Sequence, residues 1–263
     1  MKKRLDQILM DRQLFPSREK ARSAIMTGRI LIKGQKEMKA GTMVPEDVAI
    51  EIIGKDLPYV SRGGLKLEKA IDTYHLDFNN KIVLDIGAST GGFTDCSLQN
   101  GAAKVYSVDV GYGQLAWSLR SDERVVVLEK TNARYLTTDQ VPELVDYIVI
   151  DASFISQKKL IPNLIQFMKE EACFVTLIKP QFEAGREKVG KKGVVRDPAV
   201  HEEVINDLVS FFYQEGLGVR NLTFSPIKGP EGNREYLVIL EKGEQIPTPE
   251  EISHLVKEAF ETV

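Results

Sequence analysis

Four charged residues stand beside apolar segments of the sequence, where charged side chains are poor material for a hydrophobic core. Asp151 and Lys179 each follow a strand-like run, Glu235 enters one, and Lys66 lies at the start of a helical pattern. Buried charges must pair or face a cleft, so we expect the two lysines and two carboxylates to meet at one rim. Desolvation or a nearby cation lowers a lysine pKa, and a lysine near neutrality can take a proton from a hydroxyl nucleophile. The set predicts proton-transfer chemistry, with an ordinary ion-pair network as the alternative.

A glycine-rich turn follows the strand-like run that contains Asp85, and it leads into a helical pattern. The turn consists of Gly87, Ala88, Ser89, Thr90, Gly91, Gly92 and Phe93. In a doubly wound sheet such a turn lies at the carboxyl ends of the strands, where ligands bind, and glycines let a ligand approach the backbone. The spacing is neither GxGxxG nor that of a P-loop, which disfavours dinucleotides and nucleoside triphosphates.

Two further polar residues stand beyond the next strand-like runs. Asp109 ends the second run, where a carboxylate can accept hydrogen bonds from ribose hydroxyls, and Asn132 follows the third, within reach of an adenine edge. An acid at each of two strand ends and a glycine-rich turn predict S-adenosylmethionine, because its ammonium and its ribose both need acceptors. A turn required only for packing, with Asn132 as an ordinary loop residue, is the alternative.

The first 40 residues carry a positive charge on an otherwise acidic chain. They contain eleven Lys and Arg against four Asp and Glu, whereas the formal net charge of the whole chain is -3. A concentrated basic block is typical of a phosphate-binding module, although a solvated charged surface would look the same. We expect the RNA-binding residues to be Lys3, Arg4, Arg18, Lys20, Arg22 and Arg29.

Short elements should carry this basic block. The spacing of Leu5, Ile8 and Leu9 predicts a helix over 4–14, and Ser17 is a plausible N-cap for a second helix that ends at Thr27 and Gly28. Short strands are predicted at 29–34 and 48–53. Glycine, proline and a Ser-Arg-Gly-Gly run then indicate a boundary. We assign 1–56 to a small α+β RNA-binding domain, 57–64 to a linker and 65–263 to a larger domain.

The larger domain alternates strand-like and helical patterns. Five β-rich segments, which begin at 81, 104, 125, 147 and 173, predict an α/β fold with a Rossmann-like parallel sheet. Runs from 219 and 235 are expected to close the sheet as an antiparallel hairpin, and Thr248 should cap a final helix. The Gly- and Lys-rich segment 183–197 is expected to form a loop near the site; whether it contacts phosphates stays open.

Several classes of protein are disfavoured by composition. No apolar run approaches the roughly 20 residues that span a bilayer, and the first residues lack the apolar core of a signal peptide, so we expect a cytoplasmic protein. Cys96 and Cys173 are far apart in sequence and belong to no Cys/His cluster. We therefore expect neither a metal site nor a disulfide, and we interpret both cysteines as small core residues.

Five motifs together carry a resemblance to a known family. VSRGGLKLEKA at 60–70, VLDIGASTGGFTD at 83–95, IDASF around Asp151, LIKPQFEAGR at 177–186 and GNREYL at 232–237 resemble the TlyA (hemolysin A-like) family of ribosomal RNA 2'-O-methyltransferases. The catalytic half is similar to the FtsJ-like, class I methyltransferases, whose Lys-Asp-Lys-Glu tetrad falls on the four charged residues above.

The resemblance has implications for residues and partners. It implies that Lys179 is the base, that Asp151 and Glu235 position the lysines, and that Lys66 orients the ribose. The basic N-terminal part resembles the RNA-binding fold first described in ribosomal small-subunit protein four. The implied substrate is a cytidine in ribosomal RNA within an assembled ribosomal subunit, and the oligomeric state stays open.

Three alternatives follow from the same sequence. A non-catalytic RNA-binding or ribosome-assembly protein predicts an incomplete tetrad or a blocked glycine turn, and neither is seen. A membrane-lytic hemolysin predicts a spanning segment or a lytic amphipathic helix, and neither is evident. Methylation of a base or protein nitrogen predicts a motif such as Asn/Asp-Pro-Pro-Tyr, where this chain has Asp-Ala-Ser-Phe from Asp151.

Overall fold

A computed structural model describes residues 2–26, 28–54 and 57–262. The chain divides into two compact units, residues 1–62 and 63–263. The helix stop predicted at Thr27 lies outside the described residues. The second unit begins two residues before the start that the sequence predicts for the larger domain.

The N-terminal unit combines two helices with short antiparallel strands. Its elements are β1 (Lys2–Arg4), α1 (Leu5–Asp11), α2 (Arg18–Met26), β2 (Ile30–Ile32), β3 (Gln35–Glu37), β4 (Met43–Pro45) and β5 (Ile50–Ile52). Strand β1 pairs with β4, and β2 lies between β3 and β5. Leu5, Ile8 and Leu9 are buried on α1, as their helical spacing predicts. The Ser17 hydroxyl accepts a hydrogen bond from the Lys20 N–H at 3.2 Å, which caps α2.

The larger unit is built on a seven-stranded sheet. Its elements are α3 (Gly64–Tyr74), β6 (Ile82–Ile86), α4 (Gly92–Gln99), β7 (Lys104–Val108), α5 (Trp117–Arg120), β8 (Val125–Leu128), β9 (Val145–Ile150), α6 (Ile161–Leu164), β10 (Met168–Ile178), α7 (Pro180–Glu183), α8 (Pro198–Gln214), β11 (Leu217–Phe224), β12 (Tyr236–Lys242) and α9 (Pro249–Thr262). The strand order is β11-β12-β10-β9-β6-β7-β8.

Five adjacent strands of this sheet are parallel, and β12 and β11 complete it in the antiparallel direction. Strands β6 and β9 are nearly continuous apolar runs, because a parallel strand is covered on both faces. The predicted α/β sheet and its closing hairpin are confirmed. The carboxyl ends of β6, β7, β9 and β10 therefore share one edge, and the functional residues follow these ends.

Candidate active site

The structure brings the four charged residues together in what we call the charged cluster: Lys66, Asp151, Lys179 and Glu235. The Lys66 Nζ lies 3.2 Å from Asp151 Oδ2 and 2.7 Å from Glu235 Oε2. The Lys179 Nζ lies 2.5 Å from Asp151 Oδ1. Asp151 thus bridges two ammonium groups, and the order of contact is Lys179, Asp151, Lys66, Glu235.

Strand direction explains why residues so distant in sequence meet. Asp151 and Lys179 come directly after the parallel strands β9 and β10. Glu235 comes directly before β12, which runs antiparallel to β10 and pairs Tyr236 with Ile178. Because the start of an antiparallel strand lies beside the end of its neighbour, Glu235 reaches the same edge. Lys66 enters from the first turn of α3.

Burial and opposite charges fix the protonation of two members of the cluster. Burial of Asp151 opposes its ionisation, but the charges of Lys66 and Lys179 outweigh it and lower the pKa of Asp151. Burial favours a neutral Lys66, but the carboxylates of Asp151 and Glu235 outweigh that effect and raise its pKa. Lys66 therefore stays an ammonium, so it is not a lysine tuned towards neutrality.

Two residues that the sequence reasoning did not assign to the site are Ser153, which contacts Lys179, and Phe154, which lines the neighbouring cleft. The Lys179 Nζ is 3.3 Å from the Ser153 hydroxyl and 3.3 Å from the Asp151 carbonyl oxygen. Phe154 has a left-handed backbone with φ of 63° and a side chain that is 90% exposed. A bulky residue in this conformation is uncommon and often marks a functional turn. The signal in the sequence was the position of both residues within three residues after Asp151.

A cleft of about 340 Å³ opens at the same edge of the sheet. Several of the predicted cofactor residues line it, and so does Asp151 from the charged cluster. The predicted cofactor residues in its lining are Gly87, Ser89, Asp109 and Asn132. Those that lie outside the lining are Asp85, Ala88, Thr90, Gly91, Gly92 and Phe93. Gln114 and Thr131 also line the cleft, and the sequence reasoning did not assign them.

The glycine turn is shaped by close backbone contacts. Gly87 has φ of +82°, and a Cβ added there would lie 2.9 Å from the Cα of Ala152. Gly91 has φ of +98°, and a Cβ there would collide with the Leu119 side chain. Asp109 holds the turn from the other side, because its carboxylate accepts hydrogen bonds from the N–H groups of Ser89 at 2.8 Å and Gly111 at 2.7 Å.

Asp85 lies under the glycine turn and not in the cleft lining. Its side chain has no exposed surface, and one carboxylate oxygen accepts a hydrogen bond from the Thr94 hydroxyl at 2.6 Å. The other oxygen, Oδ1, is buried without a hydrogen-bond partner among the described residues. Burial raises the pKa of Asp85 to about 7.

The donor set fits S-adenosylmethionine. The unpartnered Oδ1 of Asp85 is an acceptor that a cationic group could satisfy, and the Asp109 carboxylate faces the cleft. Asn132 uses its Oδ1 to cap a short turn by accepting the Arg134 N–H at 3.1 Å, which leaves its amide donors for a base edge.

The predicted RNA-binding residues of the N-terminal unit differ in their partners. Lys3 pairs with Asp11 at 2.7 Å, and Arg4 and Arg18 both pair with Asp6 at 3.0 Å. Arg29 donates to the Ile53 carbonyl at 3.2 Å. Lys20 and Arg22 are exposed on α2. The structure thus leaves several of these cations at the surface of the unit.

Comparison with known proteins gives consistent matches. Residues 59–242 match the model of the family described as FtsJ-like methyltransferase. The chain is 48% identical to the "Putative rRNA methyltransferase YqxC" of Bacillus subtilis, over all of this chain and 95% of that protein. It is 42% identical to the "16S/23S rRNA (cytidine-2'-O)-methyltransferase TlyA" of Mycobacterium tuberculosis, over 90% of this chain and 89% of that protein.

A solved structure matches over almost the entire chain. The "Putative hemolysin from Streptococcus thermophilus" superposes with a TM-score of 0.80 and 42% identity, over 99% of this chain and 96% of that one. The resemblance stated from the motifs is confirmed. Within the part of the chain that the structure describes, every helix is too short or too polar to cross a membrane.

Proposed function

Because the chain belongs to the FtsJ-like methyltransferase family, and is thus an S-adenosylmethionine-dependent methyltransferase, we propose that it methylates the 2'-hydroxyl of a cytidine ribose in ribosomal RNA. The observation that carries this proposal is the charged cluster, assembled beside the cofactor cleft with Asp151 common to both. Relatives named as rRNA (cytidine-2'-O)-methyltransferases support the choice of substrate.

Lys179 is the base in this proposal. Lys66 is held as an ammonium by two carboxylates, so it is unsuited to accept a proton. Lys179 is the lysine whose Nζ reaches Ser153, a residue of the cleft lining. In its neutral form the Lys179 amine takes the proton of the 2'-hydroxyl as the oxygen attacks.

The other members of the cluster hold this arrangement. Asp151 orients Lys179, and Lys66 offers N–H donors that can orient the ribose. Glu235 balances the charge of Lys66, so the cluster keeps its geometry when Lys179 is neutral. S-adenosylmethionine, when bound, would supply a methyl group on a sulfonium, whose carbon the hydroxyl oxygen can attack with the thioether sulfur as the leaving group.

The cofactor cleft has a matching division of roles. Gly87 and Ser89 let the ligand approach the backbone. The other residues of the turn, which ends at Phe93, fix the course of the backbone around the ligand. We propose that Asp109 accepts hydrogen bonds from the ribose hydroxyls and that Asn132 binds the adenine edge, since both residues line the cleft. In this proposal Asp85 acts on the cofactor through the turn, because its carboxylate is buried beneath the turn and outside the cleft lining.

The N-terminal unit is the proposed RNA-binding domain, with 1–56 as its body and 57–64 as the linker. Its exposed cations suit phosphate groups, which dominate the affinity of proteins for nucleic acids. The exposed ring of Phe154 suits stacking of an unpaired base next to the charged cluster.

The test is transfer of labelled methyl to purified ribosomal subunits and to naked ribosomal RNA. Digestion of the product to nucleosides should yield labelled 2'-O-methylcytidine. Label on a base, or on another ribose, would overturn the proposed target. Absence of label in a protein that binds S-adenosylmethionine would favour the alternative of a non-catalytic ribosome-assembly protein.

A further inference from the structure

Asp6 is buried in the most basic stretch of the chain. Its side chain has no exposed surface, yet it contacts two arginines whose side chains are 46% and 57% exposed. Arg4 donates from Nε to Oδ1 and from Nη2 to Oδ2, both at 3.0 Å. Arg18 donates from Nε to Oδ2 at 3.1 Å, and its Nη2 lies 3.0 Å from the same oxygen in an ion pair. One buried carboxylate thus holds two guanidinium groups.

The backbone fixes the position of this carboxylate. Asp6 lies in the first turn of α1, and its N–H donates to the Ala40 carbonyl at 3.1 Å, beside a bond from Leu5 to Thr42 at 2.9 Å. Gly41 lies between these two acceptors, and a Cβ added there would lie 3.3 Å from Arg4 Nη1. The segment 40–42 therefore anchors Asp6 and leaves room for the Arg4 guanidinium.

The shared oxygen sets the spacing of the two cations. Both Nη2 atoms lie 3.0 Å from Asp6 Oδ2, so they are at most twice that distance apart. The Arg4 guanidinium uses two N–H donors towards Asp6 and the Arg18 guanidinium uses one, and the rest of each planar fork stays available. The Arg4 hydrogen bond is the largest effect on Asp6 and lowers its pKa, so the carboxylate stays ionised at neutral pH.

We propose that Asp6 is a positioning residue for RNA binding, which holds Arg4 and Arg18 side by side so that their free donors meet one phosphodiester group. This inference rests on the proposed RNA-binding function of the N-terminal unit. An arginine pair that is ordered before binding loses less rotamer freedom on the RNA, and planar guanidiniums suit bidentate contact with phosphate. The group of Arg4, Arg18 and Asp6 keeps a net positive charge, because two cations share one anion.

The proposal predicts a result opposite to that of simple charge. Asp6→Asn removes a negative charge from a basic RNA-binding surface, which should strengthen RNA binding if only net charge mattered. If Asp6 positions the arginines, the same substitution should weaken binding of bulk ribosomal RNA by about tenfold and reduce its salt dependence. The matched control is Asp11→Asn, an equal charge change in the same helix at an exposed acid that pairs with Lys3. It should leave affinity unchanged or raise it.

The experiment uses the full-length protein and labelled ribosomal RNA over a range of salt concentrations, with S-adenosylmethionine affinity as a check on the larger unit. A second arm carries Arg4→Gln with Arg18→Gln, which should lower the salt slope by roughly 0.7 to 0.9 for the one lost phosphate contact. Adding Asp6→Asn to that pair should cause no further loss of affinity, because the residue acts through the two arginines.

The arms separate the possible failures. Wild-type RNA affinity in the double-arginine variant would overturn the RNA-binding role of this unit. Weak binding by that variant, with wild-type or stronger binding by Asp6→Asn, would overturn only the role of Asp6. If Asp6→Asn unfolds the unit, Arg4→Lys with Arg18→Lys decides instead, since it keeps both charges and removes the planar forks. Unchanged affinity in that pair would overturn the proposal.

Discussion

Substitution of Gly229 by alanine should impair catalysis through Glu235. Gly229 is buried, and its backbone lies outside the left-handed region, so alanine is compatible with the local conformation. A Cβ there would lie 2.9 Å from Glu235 Cδ and would overlap its Oε1, whereas ordinary contact begins at 3.4 Å. The carboxylate must therefore retreat by half an ångström or more. Its Oε2 accepts the Lys66 hydrogen bond at 2.7 Å, so the retreat disturbs the whole charged cluster.

The size of the effect follows from the displacement. A misplacement of about 1 Å costs reactions in preorganised sites roughly 100-fold, so we expect the methyl-transfer rate of Gly229→Ala to fall roughly 10- to 100-fold. Overpacking should lower the free energy of unfolding by about 1 to 3 kcal/mol, and affinity for S-adenosylmethionine should be unchanged. The assay is single-turnover transfer at saturating cofactor and RNA, beside a thermal melt.

A double-mutant cycle tests the route of the effect. In the background of Glu235→Ala there is no carboxylate to displace, so Gly229→Ala should cause no further loss of rate. Two results would refute the reasoning: a wild-type rate in Gly229→Ala, or an equal loss in the presence and absence of the Glu235 carboxylate.

Three other substitutions test the cofactor turn and two buried groups. Asp109→Asn should weaken S-adenosylmethionine binding about tenfold, because the amide carries no charge and has one acceptor oxygen for the N–H groups of Ser89 and Gly111; calorimetry showing full affinity would contradict this. The raised pKa of Asp85, about 7, means that the folded free protein keeps a proton that the unfolded chain releases, so stability should fall as pH rises from about 4 to about 7. Asp85→Asn should remove that fall in stability, as measured by thermal melts at several pH values. Identical pH profiles of the variant and the wild type would contradict the assignment to Asp85. Burial lowers the pKa of His201, so the folded protein should lose stability as pH falls below 6.5. His201→Gln should reduce that loss; a variant as sensitive to acid as the wild type would contradict this role of His201.

The sheet was predictable because its strands carry a strong local signal. Strands β6 and β9 are runs of five and six residues, apolar apart from their aspartates, and parallel strands buried on both faces require such runs. Strands β1, β3 and β4 were not predicted, because β1 and β3 contain no apolar residue and β4 ends in proline, whereas β2 and β5, of equal length, are rich in isoleucine. Helix α1 is shorter than predicted for a similar reason: Gln13 has a left-handed φ of 54° that periodicity does not reveal.

The site was predictable in its residues but not in its contacts. Charged residues at strand ends identified the charged cluster, because such residues are costly in a core. The sequence did not reveal that two carboxylates surround Lys66 and raise its pKa, which depends on distances set by the fold. Nor did it reveal that Asp85 lies under the turn, or that Gly229 packs against Glu235.

The most direct test of the account is single-turnover methyl transfer by Lys179→Met, a substitution that keeps the length of the side chain and removes the amine. We predict that the rate of ribose 2'-O-methylation falls by about 100- to 10,000-fold, as expected for loss of a general base, while affinity for S-adenosylmethionine stays within about twofold of wild type. A rate within about tenfold of wild type, with the product still methylated on the ribose, would contradict the assignment of Lys179 as the base.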